Sequence, residues 1–68
     1  DVPVTDKRAA MVGVNELAVK LEGKLKLRII ARASGTESLI RLMAEGESEE
    51  NCALACKILA GKIIENCD

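Results

Sequence analysis

Two arginines, Arg32 and Arg41, bracket a short polar run made of Ser34, Gly35, Thr36, Glu37 and Ser38. Within ten residues the chain gathers two guanidiniums, several hydroxyls and a set of loop amides. A guanidinium presents paired N–H donors in a planar fork that matches two oxygens of a phosphate. Hydroxyls and successive backbone N–H groups can complete the cradle. Gly35 permits a positive φ, which would let those amides curl round an anion. The inventory suits a phosphate or another tetrahedral oxyanion. The same residues also describe an ordinary hairpin with solvated arginines, because Ser-Gly-Thr is common turn chemistry.

The flanking segments decide how the two arginines are presented. In residues 25–32, alternation puts Leu25, Leu27, Ile29 and Ala31 on one face, with Arg28, Ile30 and Arg32 on the other. After the loop, Ile40, Leu42 and Ala44 form an apolar face, opposed by Leu39, Arg41, Met43 and Glu45. If the two apolar faces share one core, Arg32 and Arg41 come together beside the loop on the face turned away from it.

The run R-A-S-G-T-E, continued by L-I-R-L-M-A-E-G, resembles the phosphate-binding signature in the fourth and last domain of the α-D-phosphohexomutase superfamily. The continuation is most similar to the phosphoglucosamine mutase branch. The resemblance covers the whole chain, with the loop as its specific part. Ser38 departs from it, standing where the family usually has proline; serine leaves the loop exit looser than proline would. What the resemblance implies is a single substrate-phosphate-binding domain over residues 1–68, cut from a longer multidomain enzyme. That enzyme would interconvert glucosamine 6-phosphate and glucosamine 1-phosphate through a bisphosphorylated intermediate. Arg32 would make a bidentate contact to the phosphate, Ser34 and Thr36 would donate from hydroxyl and backbone, and Gly35 from backbone alone. Glu37 cannot face a dianion and would orient an arginine, while Arg41 would add charge or dock a neighbouring domain. The phosphosugar and the other domains of the same chain are the expected partners. Another branch, a phosphomannomutase or phosphoglucomutase, is an alternative reading, and a non-catalytic protein-interaction module is another.

Family members carry a phosphoserine loop and an Asp-rich magnesium loop on other domains. Neither motif is present in these 68 residues, so no catalytic residue is expected here. Magnesium is implied only for the parent enzyme, no cofactor or metal is expected on this chain, and the isolated chain should be inactive. Phosphoryl transfer needs two positioned reactants and a charge-neutralising cation, which one loop does not provide.

Composition narrows the partners further. The chain has no aromatic residue and a net charge of −1. The first removes the stacking platforms used to hold unpaired bases, and the second removes a global basic field for nucleic acid or membrane. Any anion site must be local. Cys52, Cys56 and Cys67 are an odd set within one segment and, with no histidine, form no zinc set; this usage favours a reducing cytoplasm. The chain opens on Asp1 with no leader pattern, as a cut domain would.

The remaining spacing predicts an α+β domain in the order β-α-β-β-α, an antiparallel sheet with helices on one face, TATA-binding-protein-like as in the resembled family. Residues 1–5, with Pro3, read as the end of an edge strand. A helix is expected over 15–22, capped at Asn15 and stopped by Gly23, with 6–12 undecided between helix and loop. Strands are expected over 24–33 and 39–47. A second helix should start at Ser48, with Glu49 and Glu50 complementing its dipole. Its apolar stripe would be Cys52, Cys56, Leu59 and Ile63, widened by Ala55, Ile58 and Ala60, with both cysteines largely buried. Lys7, Arg8, Lys20, Lys24 and Lys26 read as a scattered solvated face.

Overall fold

The computed structural model describes residues 1–67. Its elements run β1 (Val2–Pro3), α1 (Lys7–Ala10), α2 (Val14–Leu25), β2 (Arg28–Ala33), β3 (Leu39–Glu45) and α3 (Glu49–Cys67). The sheet order is β1-β3-β2, antiparallel throughout, so β3 is the central strand. Pro3 sits on an edge strand, where a missing N–H is harmless. This is the expected α+β arrangement, with the first helix divided in two.

The sheet register carries the alternation into three dimensions. Ile29 pairs with Ala44, Ala31 with Leu42 and Ala33 with Ile40, and most of this side packs against the helices. The outward rungs are Arg28 with Glu45, Ile30 with Met43, and Arg32 with Arg41. Ile40 is fully buried in the middle strand, and Val14, Leu59 and Ile63 close over it from α2 and α3. Fully burying such a side chain contributes about 1.5–3 kcal/mol.

One open segment is settled and two expectations about helix limits need correction. First, α1 forms because the Asp6 carboxylate accepts from the amides of Arg8 at 3.1 Å and Ala9 at 3.2 Å. Second, α2 restarts behind Gly13, whose φ of 75° turns the chain, so Asn15 is not its cap. Third, α2 does not stop at Gly23 but continues to Leu25, and Lys26 takes the left-handed cap with φ 53°. Leu25 packs against the core from this extra turn, and β2 therefore starts at Arg28 rather than residue 24. The Glu22 carboxylate completes the joint by accepting from the Ile29 amide at 2.8 Å. A glycine inside a helix costs about 1 kcal/mol, and anchoring Leu25 offsets it.

At the other end of the hairpin, β3 ends at Glu45, short of the predicted 47. Ser48 caps α3 as expected, its Oγ accepting from Asn51 N at 3.2 Å. The buried stripe of α3 is Ala55, Leu59 and Ile63. Cys52 and Cys56 are only half-buried and Ile58 is exposed, so the stripe is rotated from the predicted one. All three cysteines are free. In the last turn, the Asn66 amide donates to the carbonyls of Ala10 and Val12, each at 2.8 Å, joining α3 to the α1–α2 corner.

Candidate functional site

The arginines form the outward-facing rung nearest the loop. Arg32 and Arg41 are direct partners across β2 and β3, both exposed on the face away from the helices. Like charges opposite each other in a sheet are destabilising, so nothing in the packing of the hairpin calls for this pair. Beside them opens a depression of about 290 Å³ lined by Arg32, Ala33, Ser34, Gly35 and Arg41. The geometry expected from alternation is therefore present, with both guanidiniums and the start of the loop around one hollow.

Inside the loop, the Ser34 amide donates to the Leu39 carbonyl at 3.0 Å and closes its neck. The Ser34 Oγ accepts from the Glu37 amide at 3.1 Å, folding 34–37 into a compact turn. That contact uses an oxygen lone pair and leaves the hydroxyl proton available to a ligand. Among the described residues, the amides of Gly35 and Thr36 have no partner within the chain. Gly35 does not adopt the positive φ anticipated for it. A Cβ built there would meet nothing within 4 Å, so its missing side chain leaves open space at the hollow.

Glu37 stands 3.7 Å from Arg41, both more than half exposed. The pair is screened and is worth at most about 1 kcal/mol, yet it ties one arginine to the loop. Arg32 has no such tie among the described residues. Arg28 and Glu45 make a similar exposed pair two rungs away, at 3.8 Å.

One residue of the site lies outside the expected set. Lys7, read as part of a solvated face, is half-buried, and its Nζ donates to the Ser34 carbonyl at 2.7 Å. It reaches the neck of the loop from α1, although it does not line the hollow itself. The two residues are 27 apart in sequence, and no local pattern announces the contact. Only the acid cap at Asp6, which fixes where α1 begins, hints at it.

The whole ensemble is a small, open, cationic hollow with unused amide donors. It can hold an anion with several equivalent oxygens. Among the described residues no group of three histidine, cysteine or carboxylate side chains gathers to hold a metal ion. No described helix is long and apolar enough to cross a membrane.

The hairpin, its loop and most of the helices lie within the part of the chain that a family comparison matches. The model of the phosphoglucomutase/phosphomannomutase C-terminal domain matches residues 2–61, and the chain belongs to that family. Among individual relatives it is similar to the phosphoglucosamine mutase of Exiguobacterium sibiricum, 37% identical over 70 residues, covering 97% of this chain and 16% of the relative. The phosphoglucosamine mutase of Bifidobacterium adolescentis is 41% identical over 64 residues, covering 88% of this chain and 14% of the relative. That of Lachnoclostridium phytofermentans is 43% identical over 56 residues, covering 76% and 12%. The chain thus spans about one sixth or less of the length of these curated relatives. No solved structure matches.

Proposed function

We propose that this chain is the substrate-phosphate-binding domain of a longer enzyme that interconverts glucosamine 6-phosphate and glucosamine 1-phosphate. The observation that carries the reading is the hollow between the facing Arg32 and Arg41, floored by Ser34 and Gly35. Arg32 takes the phosphate through its fork, with the amides of Gly35 and Thr36 and the hydroxyls of Ser34 and Thr36 completing the grip. Arg41, held by Glu37, supplies charge beside it. The preference for glucosamine over other sugars rests on the phosphoglucosamine mutase relatives, since nothing in the hollow is shaped to a sugar ring.

In such an enzyme the bisphosphorylated intermediate turns end for end, so that each phosphate visits the reacting centre in turn. A domain that grips only the non-reacting phosphate serves both orientations. Its binding energy is remote from the chemistry and is used for positioning. The reacting serine, the magnesium site and the cytoplasmic setting belong to the parent protein in this reading. The 68-residue chain by itself binds and does not catalyse.

Phosphate titration followed by amide NMR tests the proposal. Charge-assisted hydrogen bonds contribute about 1.5–3 kcal/mol each when well made, and an open site loses much of that to water and salt. Millimolar affinity corresponds to about 4 kcal/mol, so binding of that order or weaker is expected. The shifts should saturate and centre on Ser34, Gly35 and Thr36, vanish in Arg32→Ala and persist in Lys20→Ala. Shifts that track Lys20, Lys24 and Arg8 instead would reduce the hollow to general positive charge and end the proposal.

A further inference from the structure

The peptide unit between Ser34 and Gly35 is held at one end and free at the other. Its carbonyl accepts from the Lys7 Nζ at 2.7 Å, and Lys7 belongs to α1, on the side of the sheet that the helices cover. Its N–H, carried by Gly35, has no partner among the described residues. Gly35 lines the hollow together with Arg32 and Arg41, which stand on the face away from the helices. In a planar trans peptide the carbonyl and the N–H point in opposite directions. Whatever fixes the Ser34 carbonyl therefore also sets the direction of the Gly35 amide.

We propose that Lys7 is a positioning residue for anion binding: by holding the Ser34 carbonyl toward α1, it aims the Gly35 N–H into the hollow. The inference rests on the phosphate-binding reading of that hollow and adds to it a residue that touches no phosphate. Lys7 is not among the residues lining the hollow, so it acts through the peptide and not by contact. What it opposes is the other orientation of the same peptide. Half a turn of the 34–35 unit changes only ψ at Ser34 and φ at Gly35, and glycine accepts φ of either sign. The turned peptide would present its carbonyl oxygen to the hollow, where the partial negative charge repels an anion. Two other bonds tighten the loop, from the Ser34 amide to the Leu39 carbonyl and from the Glu37 amide to the Ser34 Oγ. Neither engages the 34–35 unit, so that task falls to Lys7.

The lysine is itself well anchored. It is half-buried and opens α1, whose start is set by the Asp6 cap. Ala10 seats the same helix in the core, and the Asn66 amide ties the Ala10 carbonyl to α3 at 2.8 Å. A cationic donor also does more than a neutral one. By drawing electron density from the carbonyl oxygen, it makes the N–H of the same peptide a stronger donor. Arg8, next in sequence, carries the same charge, but it is exposed and its guanidinium has no partner among the described residues.

Inorganic phosphate titrated into the 68-residue chain and its Lys7→Met and Arg8→Met variants, followed by NMR, provides the test. Lys7→Met should raise the dissociation constant about three- to tenfold, as the loss of one hydrogen bond does. Its signature is selective: the phosphate-induced shift of the Gly35 amide should fall while that of Thr36 persists, because the Thr36 N–H belongs to a peptide that Lys7 does not hold. Arg8→Met removes an equal but solvent-screened charge, and should stay within about twofold of the unsubstituted chain. An unchanged dissociation constant in Lys7→Met overturns the proposal and leaves the phosphate reading standing. Equal losses at Gly35 and Thr36, or an equal effect of Arg8→Met, also overturn it, the first as general loosening and the second as general field. Absence of binding to the unsubstituted chain ends the phosphate reading and this inference with it. Should Lys7→Met fail to fold, the unsubstituted chain still decides. The Lys7 Nζ and Ser34 carbonyl resonances should follow the same phosphate isotherm as the Gly35 amide, and a pair indifferent to phosphate overturns the proposal.

Discussion

Gly35 and Gly46 stand at opposite ends of the same central strand, and their surroundings could hardly differ more. Around Gly35 a Cβ would meet nothing within 4 Å. At Gly46 a Cβ would lie 2.9 Å from the Leu27 Cβ and 3.4 Å from the Leu27 Cα. One end of the hairpin is left hollow and cationic, while the other is shut down onto the backbone where Lys26 turns left-handed. The same residue type is used for access at one end and for closeness at the other. Glycine in a loop is thus no signal of function until its neighbours are known.

Substitutions can sharpen the contrast. The largest effect is expected at the open end, on function alone. In the full-length enzyme carrying this domain, Arg32→Lys keeps the charge but loses the fork. A lost charge-assisted bond of about 1.5–3 kcal/mol corresponds to a fall of roughly ten- to a hundredfold in kcat/KM. Arg41→Lys should cost clearly less if, as proposed, Arg41 contributes charge beside the grip rather than the fork contact. Equal, small losses at both positions, measured by steady-state kinetics, would return Arg32 to the solvated surface.

Stability should respond at the closed end. Gly46→Ala forces a Cβ against the Leu27 backbone, and overpacking of this kind costs about 1–3 kcal/mol. Gly35→Ala should stay within about 0.5 kcal/mol. Urea denaturation of the two variants gives the comparison directly, and matching midpoints would erase the distinction between the ends.

The smallest expected effect is at Lys7. Replacing it with methionine keeps the aliphatic stem but removes the donor to the Ser34 carbonyl, a loss of about 1 kcal/mol at a half-buried site. Heteronuclear NOE values should fall over residues 34–38 and nowhere else. A uniform loss of stability with an unchanged loop would show that Lys7 supports α1 rather than the site.

Much of this was legible before any coordinates. Alternation from Leu25 to Arg32 and from Leu39 to Glu45 identified the two strands, the first begun too early, and put Arg32 and Arg41 together on one face; the register makes them direct partners. The Ser48 cap was equally plain. What escaped was set by contacts between distant segments. Gly23 looked like a stop, but Leu25 had a core to reach, and packing overrode the local preference. The rotated stripe of α3 had the same origin: α2 and β3 meet it at Ala55, Leu59 and Ile63, leaving the cysteines at the margin. Lys7 could not be assigned to the loop because nothing local encodes a hydrogen bond across 27 residues. The positive φ granted to Gly35 went to Gly13 instead, where the chain turns between two helices.

The Asn66 bridge bears on the order in which the molecule assembles. Its two hydrogen bonds join residues 56 and 54 positions apart, nearly the whole chain. Closing so long a segment carries an entropic cost that grows with its length, so these bonds are expected to form late. The α1–α2 corner is thus latched late, once the hairpin and the helices are in place. A latch that closes late slows unfolding without hastening folding. Asn66→Ala is therefore expected to speed unfolding more than it slows folding, which stopped-flow measurement of both rates would check.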